Sequence, residues 1–480
     1  MLISKKRIGL ILGPLSFVYI LFFFHPEGLN AAANAILAST VWIAIWWITE
    51  ALHIAVTALL PIVLFPLSGG LGLDATTATY GHKYIFLFIG GFMIAIAIEK
   101  WNLHRRIALS IINVVGTNVV NIILGFMIAT AFLSMWISNT ATAVMILPIG
   151  MAIVKQLMDN PKTVEDENLI FGKALMLAIA YSCSIGGMAT LIGTPPNLVL
   201  AGVVQKSMGV EITFAQWFMF AFPFTVILLI ISWLYLTRIA FKFKQKEFPG
   251  GSEEIKKQLK ALGKMSKEEK VVLVVFICTA LAWTTRSFLI KQFIPAIDDT
   301  IIAVFFSLIL FILPSTKKHE NILLWQDAIK LPWGILLLYG GGMALALGFE
   351  TSGLALWIGQ HLVILETVPF ILLLLVLIAV VNFLTEITSN LATTAMLLPV
   401  LVSLAPSIGL HPYYLMISAT VAASCAFMLP VATPPNAVVF GSGYLDIEDM
   451  VKKGVWMNLI SIILLTILVC VLLPVVWDLS

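Results

Sequence analysis

Two stretches of this sequence carry hydroxyl and amide side chains at matched spacing inside apolar surroundings. Residues 136–148 read WISNTATAVMILP and residues 387–399 read ITSNLATTAMLLP. Two more stretches are paired in the same way: IGTPPN at 192–197 and VATPPN at 431–436. A residue before proline avoids the α region, so a helix ends there. Proline then suits the first turn of a new helix, and a preceding threonine can cap it. Thr194-Pro195 and Thr433-Pro434 therefore each end one half-helix and start another. Carbonyls near Ile192, Gly193, Val431 and Ala432 are left free. Ser138-Asn139-Thr140 and Ser389-Asn390-Leu391 offer the same chemistry at two further helix starts. Helix N-termini favour an anion, whereas free carbonyls and hydroxyls favour a hard cation such as Na⁺. Four such ends suit a small anion held between two cation sites. A single Ser-Asn-Thr inside an apolar helix commonly just hydrogen-bonds its neighbours, and a single proline just kinks. The doubling at matching breaks argues for the binding role.

The elements that carry these motifs are membrane spans. Of 480 residues, 60% are hydrophobic and 11% charged. Mean hydropathy is +1.03. That much apolar surface fits helices in lipid and excludes an ordinary soluble domain. The fold class expected is an all-α polytopic membrane protein. Lys5, Lys6 and Arg7 precede an apolar run too long for a signal peptide's core, so residues 8–24 read as a first span. Ten more spans are expected near 34–49, 51–67, 84–99, 172–193, 215–237, 270–288, 300–314, 332–349, 412–430 and 455–477. The regions 120–157 and 367–405 are set apart. As one straight helix, 120–157 would be about 55 Å long, against a core of roughly 30 Å. Both regions read as re-entrant hairpins with the two polar tripeptides at their tips. Irregular backbone is tolerated at that depth only when buried in protein or facing a water-filled cavity.

Eleven spans plus two hairpins put the basic loops on one side, which by the positive-inside rule is the cytoplasm. The N-terminus is then cytoplasmic and the C-terminus extracytoplasmic, in the inner cell membrane.

The motifs also repeat at a fixed offset. Gly91 and Gly342, Glu99 and Glu350, Leu103 and Leu354, Asn139 and Asn390, and Pro148 and Pro399 are each 251 residues apart. Five crossings, an odd number, separate matching spans, so the second copy is inverted. The division expected is an N-terminal helix at 1–33, a first inverted repeat at 34–241, a cytoplasmic linker at 242–269 and a second inverted repeat at 270–480. Ser266 and Glu269 form a capping box at the end of the linker. Inverted repeats with broken helices are a signature of secondary transporters.

Competing chemistry is thin. No HExxH, GxSxG or P-loop occurs, so no enzyme is indicated. Cys183, Cys278, Cys425 and Cys470 lack CxxC spacing and read as buried small hydrophobes. The net charge of +3 gives no case for nucleic acid. Glu386, three residues before Ser389, either tunes a cation site or pairs within its own hairpin; the local role is favoured. Trp42, Trp46, Trp47 and Trp101 read as packing or interface aromatics.

With two Ser-Asn tips and two TPPN breaks, the chain resembles the divalent anion/sodium symporter family over essentially its whole length. The resemblance implies a homodimer with a scaffold domain and an elevator-like transport domain, carrying four- or five-carbon dicarboxylates such as succinate, malate, fumarate or 2-oxoglutarate. It implies substrate contacts from Ser138, Asn139, Thr140, Ser389, Asn390 and Leu391, with Thr194, Thr433 and Pro434 nearby. It implies one Na⁺ site at Ser134, Ser138, Asn139 and Gly193, and another at Thr385, Thr388, Asn390 and Ala432. No organic cofactor is implied. One position departs from the family pattern: Leu391 stands where a threonine is expected, so a hydroxyl is missing at the ligand. That asymmetry tilts the expectation toward dicarboxylate exchange, with Na⁺-coupled symport as the alternative and an anion channel more distant.

Overall fold

The computed structural model describes residues 5–116, 118–158, 165–243, 251–317, 320–361 and 366–479. Helices make up nearly all of it, and a lone bridge between Pro314 and Asn321 is the extended pairing among the described residues. Nine of the described helices are long and apolar enough to cross a membrane. One of them, Asn390–Ser407, is a hairpin arm in the sequence reading. Four expected spans are divided or end before their drawn bounds. The stretch 51–67 is divided into Ile54–Thr57 and Leu60–Ser68, with Pro61 opening the second piece. The span at 300–314 is Asp299–Ile312. The span at 412–430 stops as a helix at Ser424.

Each polar tripeptide lies between two helices, and three of the four matched helix boundaries keep the 251-residue offset. The arms of the first are Val119–Ser134 and Asn139–Met158. Those of the second are Phe370–Thr385 and Asn390–Ser407. Asn118 starts the first hairpin by accepting the Asn121 N–H at 2.7 Å. The four-residue gaps between arms hold Ser138 and Ser389, whose carbonyls accept from Thr142 and Thr393 at 2.9 Å each.

Both TPPN segments break their helices. Glu165–Met188 gives way to Pro195–Met208, so the expected 172–193 span ends early. Pro412–Ser424 gives way to Pro434–Phe440. Thr194 (φ −138°, ψ 139°) and Thr433 (φ −139°, ψ 149°) take the same extended conformation before their prolines. Each hairpin packs on the helix that carries its break. Glycine makes the closest of these approaches possible: a Cβ on Gly186 would collide with the backbone of Ala131.

Around this unit lie Lys5–Phe23, Ala31–Thr49, Lys83–Lys100, Lys267–Thr285, Asp299–Ile312 and Trp333–Ser352. Trp46 and Trp101 are packing residues, their indole N–H groups donating to Gly9 and Ile322 carbonyls at 2.9 Å. Only Cys183 and Cys425 are buried; Cys278 is exposed and Cys470 half-buried, on outward faces of apolar helices. A helix with alternating apolar and basic faces, Gly251–Ala261, precedes the Ser266–Glu269 capping box, which forms as expected. Linker residues 244–250, which include Pro249-Gly250, fall outside the described residues.

Candidate functional site

The two tips and the two breaks surround one cavity of about 590 Å³. Its lining includes Ser138, Asn139, Thr140, Gly193 and Thr194 from the first half of the chain. Ser389, Asn390, Leu391, Ala432, Thr433 and Pro434 line it from the second, with Thr388 beside them. Residues 251 positions apart at the tips, Asn139 and Asn390, meet because each tip docks against the break of its own half, and the halves face each other. Surrounding helices close the cavity with Phe92, Ile54 and Ile335, and its rim carries Glu50 and Lys5. Glu50 sits in the left-handed region at φ 48°, where it ends the Ala31–Thr49 helix.

Two expected residues lie one layer deeper. Ser134 Oγ is 2.6 Å from Asn139 Oδ1 and 2.8 Å from the Cys183 carbonyl. Thr385 Oγ1 is 2.7 Å from Asn390 Oδ1 and 2.9 Å from the Ala423 carbonyl. The same triad thus occurs twice. In each, a hydroxyl, a side-chain amide and a backbone carbonyl converge within hydrogen-bond reach. Such a convergence of neutral oxygen ligands suits a hard cation. Ser138 Oγ accepts from the Ala141 N–H at 3.3 Å, capping its arm. In the second half, Thr388 instead pairs its hydroxyl with Thr393 at 2.7 Å.

The breaks are held by residues to which sequence reasoning assigned no role. Asn197 Nδ2 donates to the Thr190 carbonyl at 2.8 Å and reaches those of Met188 and Gly187 at 3.3 and 3.4 Å. Asn436 Nδ2 donates to Leu429 at 3.0 Å and Ala426 at 3.4 Å. The final letter of each TPPN thus ties down the unwound backbone beneath the cavity. Its presence in both copies was the available signal. Thr190 adds a tie in the first half, donating to the Met135 carbonyl at 2.5 Å and accepting from Gly193 N–H at 3.0 Å.

Glu386 corrects the expectation of a local role. Its carboxylate accepts the backbone N–H groups of Phe427, Met428 and Leu429 at 2.8–3.0 Å, and Asn458 Nδ2 at 2.8 Å. It bridges the second tip to the second break and to the Ile447–Trp477 helix. With four donors satisfied, it positions the backbone and has little left for an ion.

Comparison with known proteins agrees with this architecture. The chain is 49% identical over 475 residues to the sodium-dependent dicarboxylate transporter SdcS of Staphylococcus saprophyticus, covering 98% of this chain and 92% of that one. It is 50% identical over 479 residues to SdcS of Staphylococcus aureus, with the same coverage. Among solved structures it resembles MtrF of Neisseria gonorrhoeae, an antimetabolite efflux pump, at TM-score 0.61 and 14% identity, covering 98% of this chain and 95% of that one. The YdaH transporter of Alcanivorax borkumensis matches at TM-score 0.59 and 13% identity, covering 85% of this chain and 90% of that one. These two share the fold. Residues 4–477 match the family described as the sodium:sulfate symporter transmembrane region, and the chain belongs to that family of transporters.

Proposed function

We propose that this protein is a Na⁺-coupled symporter of four- or five-carbon dicarboxylates in the cytoplasmic membrane. One observation carries the reading: two matching oxygen clusters, Ser134–Asn139–Cys183 and Thr385–Asn390–Ala423, flank a single cavity lined by both polar tips. Each cluster has the neutral hydroxyl, amide and carbonyl oxygens that suit Na⁺. Gly193 and Ala432, with Ser138 and Thr388, supply further oxygens on the cavity side. An anion between two bound cations is held by their charge and by the N–H groups of helix starts at Asn139, Pro195, Asn390 and Pro434.

The lean toward exchange gives way here. It rested on Leu391, but the second oxygen cluster is built without that side chain. The relatives at about half identity are named as sodium-dependent. We read the transport unit as both hairpins, both broken spans, and the Phe214–Leu234 and Ile447–Trp477 helices. It moves as an elevator against the remaining helices, in a homodimer. The Lys5 and Glu50 rim lies at the N-terminal side of the first span, so this conformation is open to the cytoplasm when the N-terminus is cytoplasmic.

Labelled succinate uptake into proteoliposomes tests the proposal. Uptake into empty vesicles should require an inward Na⁺ gradient. Uptake that ignores Na⁺ and needs internal dicarboxylate would restore the exchange reading; flux at channel rates without saturation would replace both.

A further inference from the structure

Five charged residues from four segments meet away from the cavity. Arg286 is 2% exposed. Its guanidinium lies 3.1 Å from Glu211 and 3.1 Å from Asp299, with Asp298 at 3.9 Å. Lys83 Nζ donates to Asp298 at 2.8 Å and stands 3.6 Å from Glu211. Asp299 also accepts the Phe214 N–H at 2.9 Å.

These residues belong to two different groups of helices. Lys83 opens Lys83–Lys100, Arg286 follows Lys267–Thr285, and Asp298 and Asp299 open the Asp299–Ile312 helix. The Lys83–Lys100 helix packs closely on Asp299–Ile312, and Gly90 leaves no room for a Cβ against Ala303. Glu211 stands on the other group. It closes the connection from Pro195–Met208, whose first residues line the cavity, to Phe214–Leu234. The latter helix is tied to the first break by Trp217 Nε1, which donates to the Met188 carbonyl at 3.0 Å. A displacement of the cavity therefore carries Glu211 with it.

The charges divide in a telling way. Lys83 and Arg286 against Asp298 and Asp299 make two positive and two negative charges, a neutral set that stays paired by itself. Glu211 is the extra charge, and its side chain is 26% exposed. It can leave without stranding a buried partner, whereas loss of Asp299 would strand the buried Arg286 and loss of Asp298 would unpair Lys83. Beside the cluster, Trp136 and Phe214 stack flat against Trp283, a face that slides without breaking directional bonds, while the Phe214 N–H to Asp299 is a further hydrogen bond that parts when the groups separate.

We propose that Glu211 is a releasable latch. It holds the cavity-bearing helices against the Lys83–Arg286–Asp298–Asp299 cluster in the conformation open toward Lys5 and Glu50, and it must let go for the cavity to face the other way. The latch rests on the alternating-access reading above.

Side-specific labelling tests it. Val431 lines the cavity and is 82% exposed, so Val431→Cys reports which side the cavity faces. An impermeant maleimide is applied to right-side-out cells and to inside-out vesicles. Adding Glu211→Gln should raise the outside-to-inside labelling ratio by about three- to tenfold. Glu211→Asp, one methylene shorter with its charge kept, should fall between parent and Gln; it carries the test alone if Gln is unstable. Ratios equal to the parent's in the stable variants overturn the latch. Succinate should slow labelling in the parent. If it does not, the dicarboxylate reading fails, while a shifted ratio in Glu211→Gln would still support the latch.

Discussion

The carboxylate of Glu386 accepts the backbone N–H of Phe427 at 2.8 Å, across the second broken span. The next two N–H groups, of Met428 and Leu429, point at the same carboxylate. Three successive amides aimed at one acidic group form an anion-binding nest made from the chain itself. The first half lacks an acid at the matching place, where Met135 stands, and uses Thr190 to tie its break instead. The two halves thus hold matching tips and breaks around one cavity by different supports.

Glu386→Gln should therefore damage the second break selectively. An amide keeps one acceptor but turns its NH₂ toward backbone donors. Loss of about 1–3 kcal/mol of stability is expected, along with loss of most transport. Thermal unfolding in detergent, paired with uptake, checks this. A variant as stable and active as the parent would mean the three N–H groups have another acceptor.

How much of this was legible beforehand follows from period and repetition. The tips and breaks could be read because proline, Ser, Asn and Thr punctuate apolar runs twice at fixed offsets. The hairpin arms were located to within a few residues for the same reason. Helix ends inside the membrane were misjudged where apolar composition continues past the hydrogen bonds. Cys425 to Leu429 is as hydrophobic as the helix before it, yet the N–H groups of Phe427, Met428 and Leu429 go to Glu386 and Asn458 rather than along a helix. Nothing in composition marks that. The partners of Ser134 and Thr385 on Cys183 and Ala423 were hidden too, since backbone carbonyls carry no sequence signature.

The oxygen clusters make a prediction about Na⁺ separable from substrate. Ser134→Ala and Thr385→Ala each remove one hydroxyl beneath the cavity and leave the tip amides in place. Each should raise the Na⁺ concentration for half-maximal uptake by about tenfold, or about 1.4 kcal/mol. The succinate KM at saturating Na⁺ should change far less. Thr385→Ser keeps the oxygen and should behave as the parent. Uptake measured against Na⁺ decides it; unchanged Na⁺ dependence in both alanine variants would move the cation sites elsewhere.

A pH effect is expected outside the spans. Lys100 Nζ donates to Asp327 at 2.7 Å. Burial alone would raise the Asp327 carboxyl, but Lys100 and the Leu324 N–H outweigh it and hold it below the ordinary carboxylate range. A lowered folded-state pKa means the contact stabilises above the unfolded value, near 4, and is lost as pH falls through the folded one. Lys100→Gln should cost about 1 kcal/mol at neutral pH and narrow its gap to the parent under acid. Thermal unfolding across pH 3–7 would show this, and a gap independent of pH would assign the loss to packing.

Leu391 offers the sharpest test of substrate choice. It lines the cavity opposite Thr140, to which it corresponds in the repeat, but is only 6% exposed. In the proposed binding mode, a ligand carboxylate meets the Thr140 hydroxyl on the first side and the apolar Leu391 side chain on the second. A cavity with one polar end and one leaner end discriminates weakly against an added hydroxyl, because an apolar contact rejects poorly. Leu391→Thr supplies a donor at the leaner end. It should lower the succinate KM by about tenfold, the worth of one hydrogen bond to a carboxylate, and alter the malate-to-succinate ratio. Competition of unlabelled malate, fumarate and 2-oxoglutarate against labelled succinate measures both. Identical profiles in parent and variant would mean that side chain 391 faces the protein, and that the second carboxylate is held by Asn390 and helix N–H groups alone.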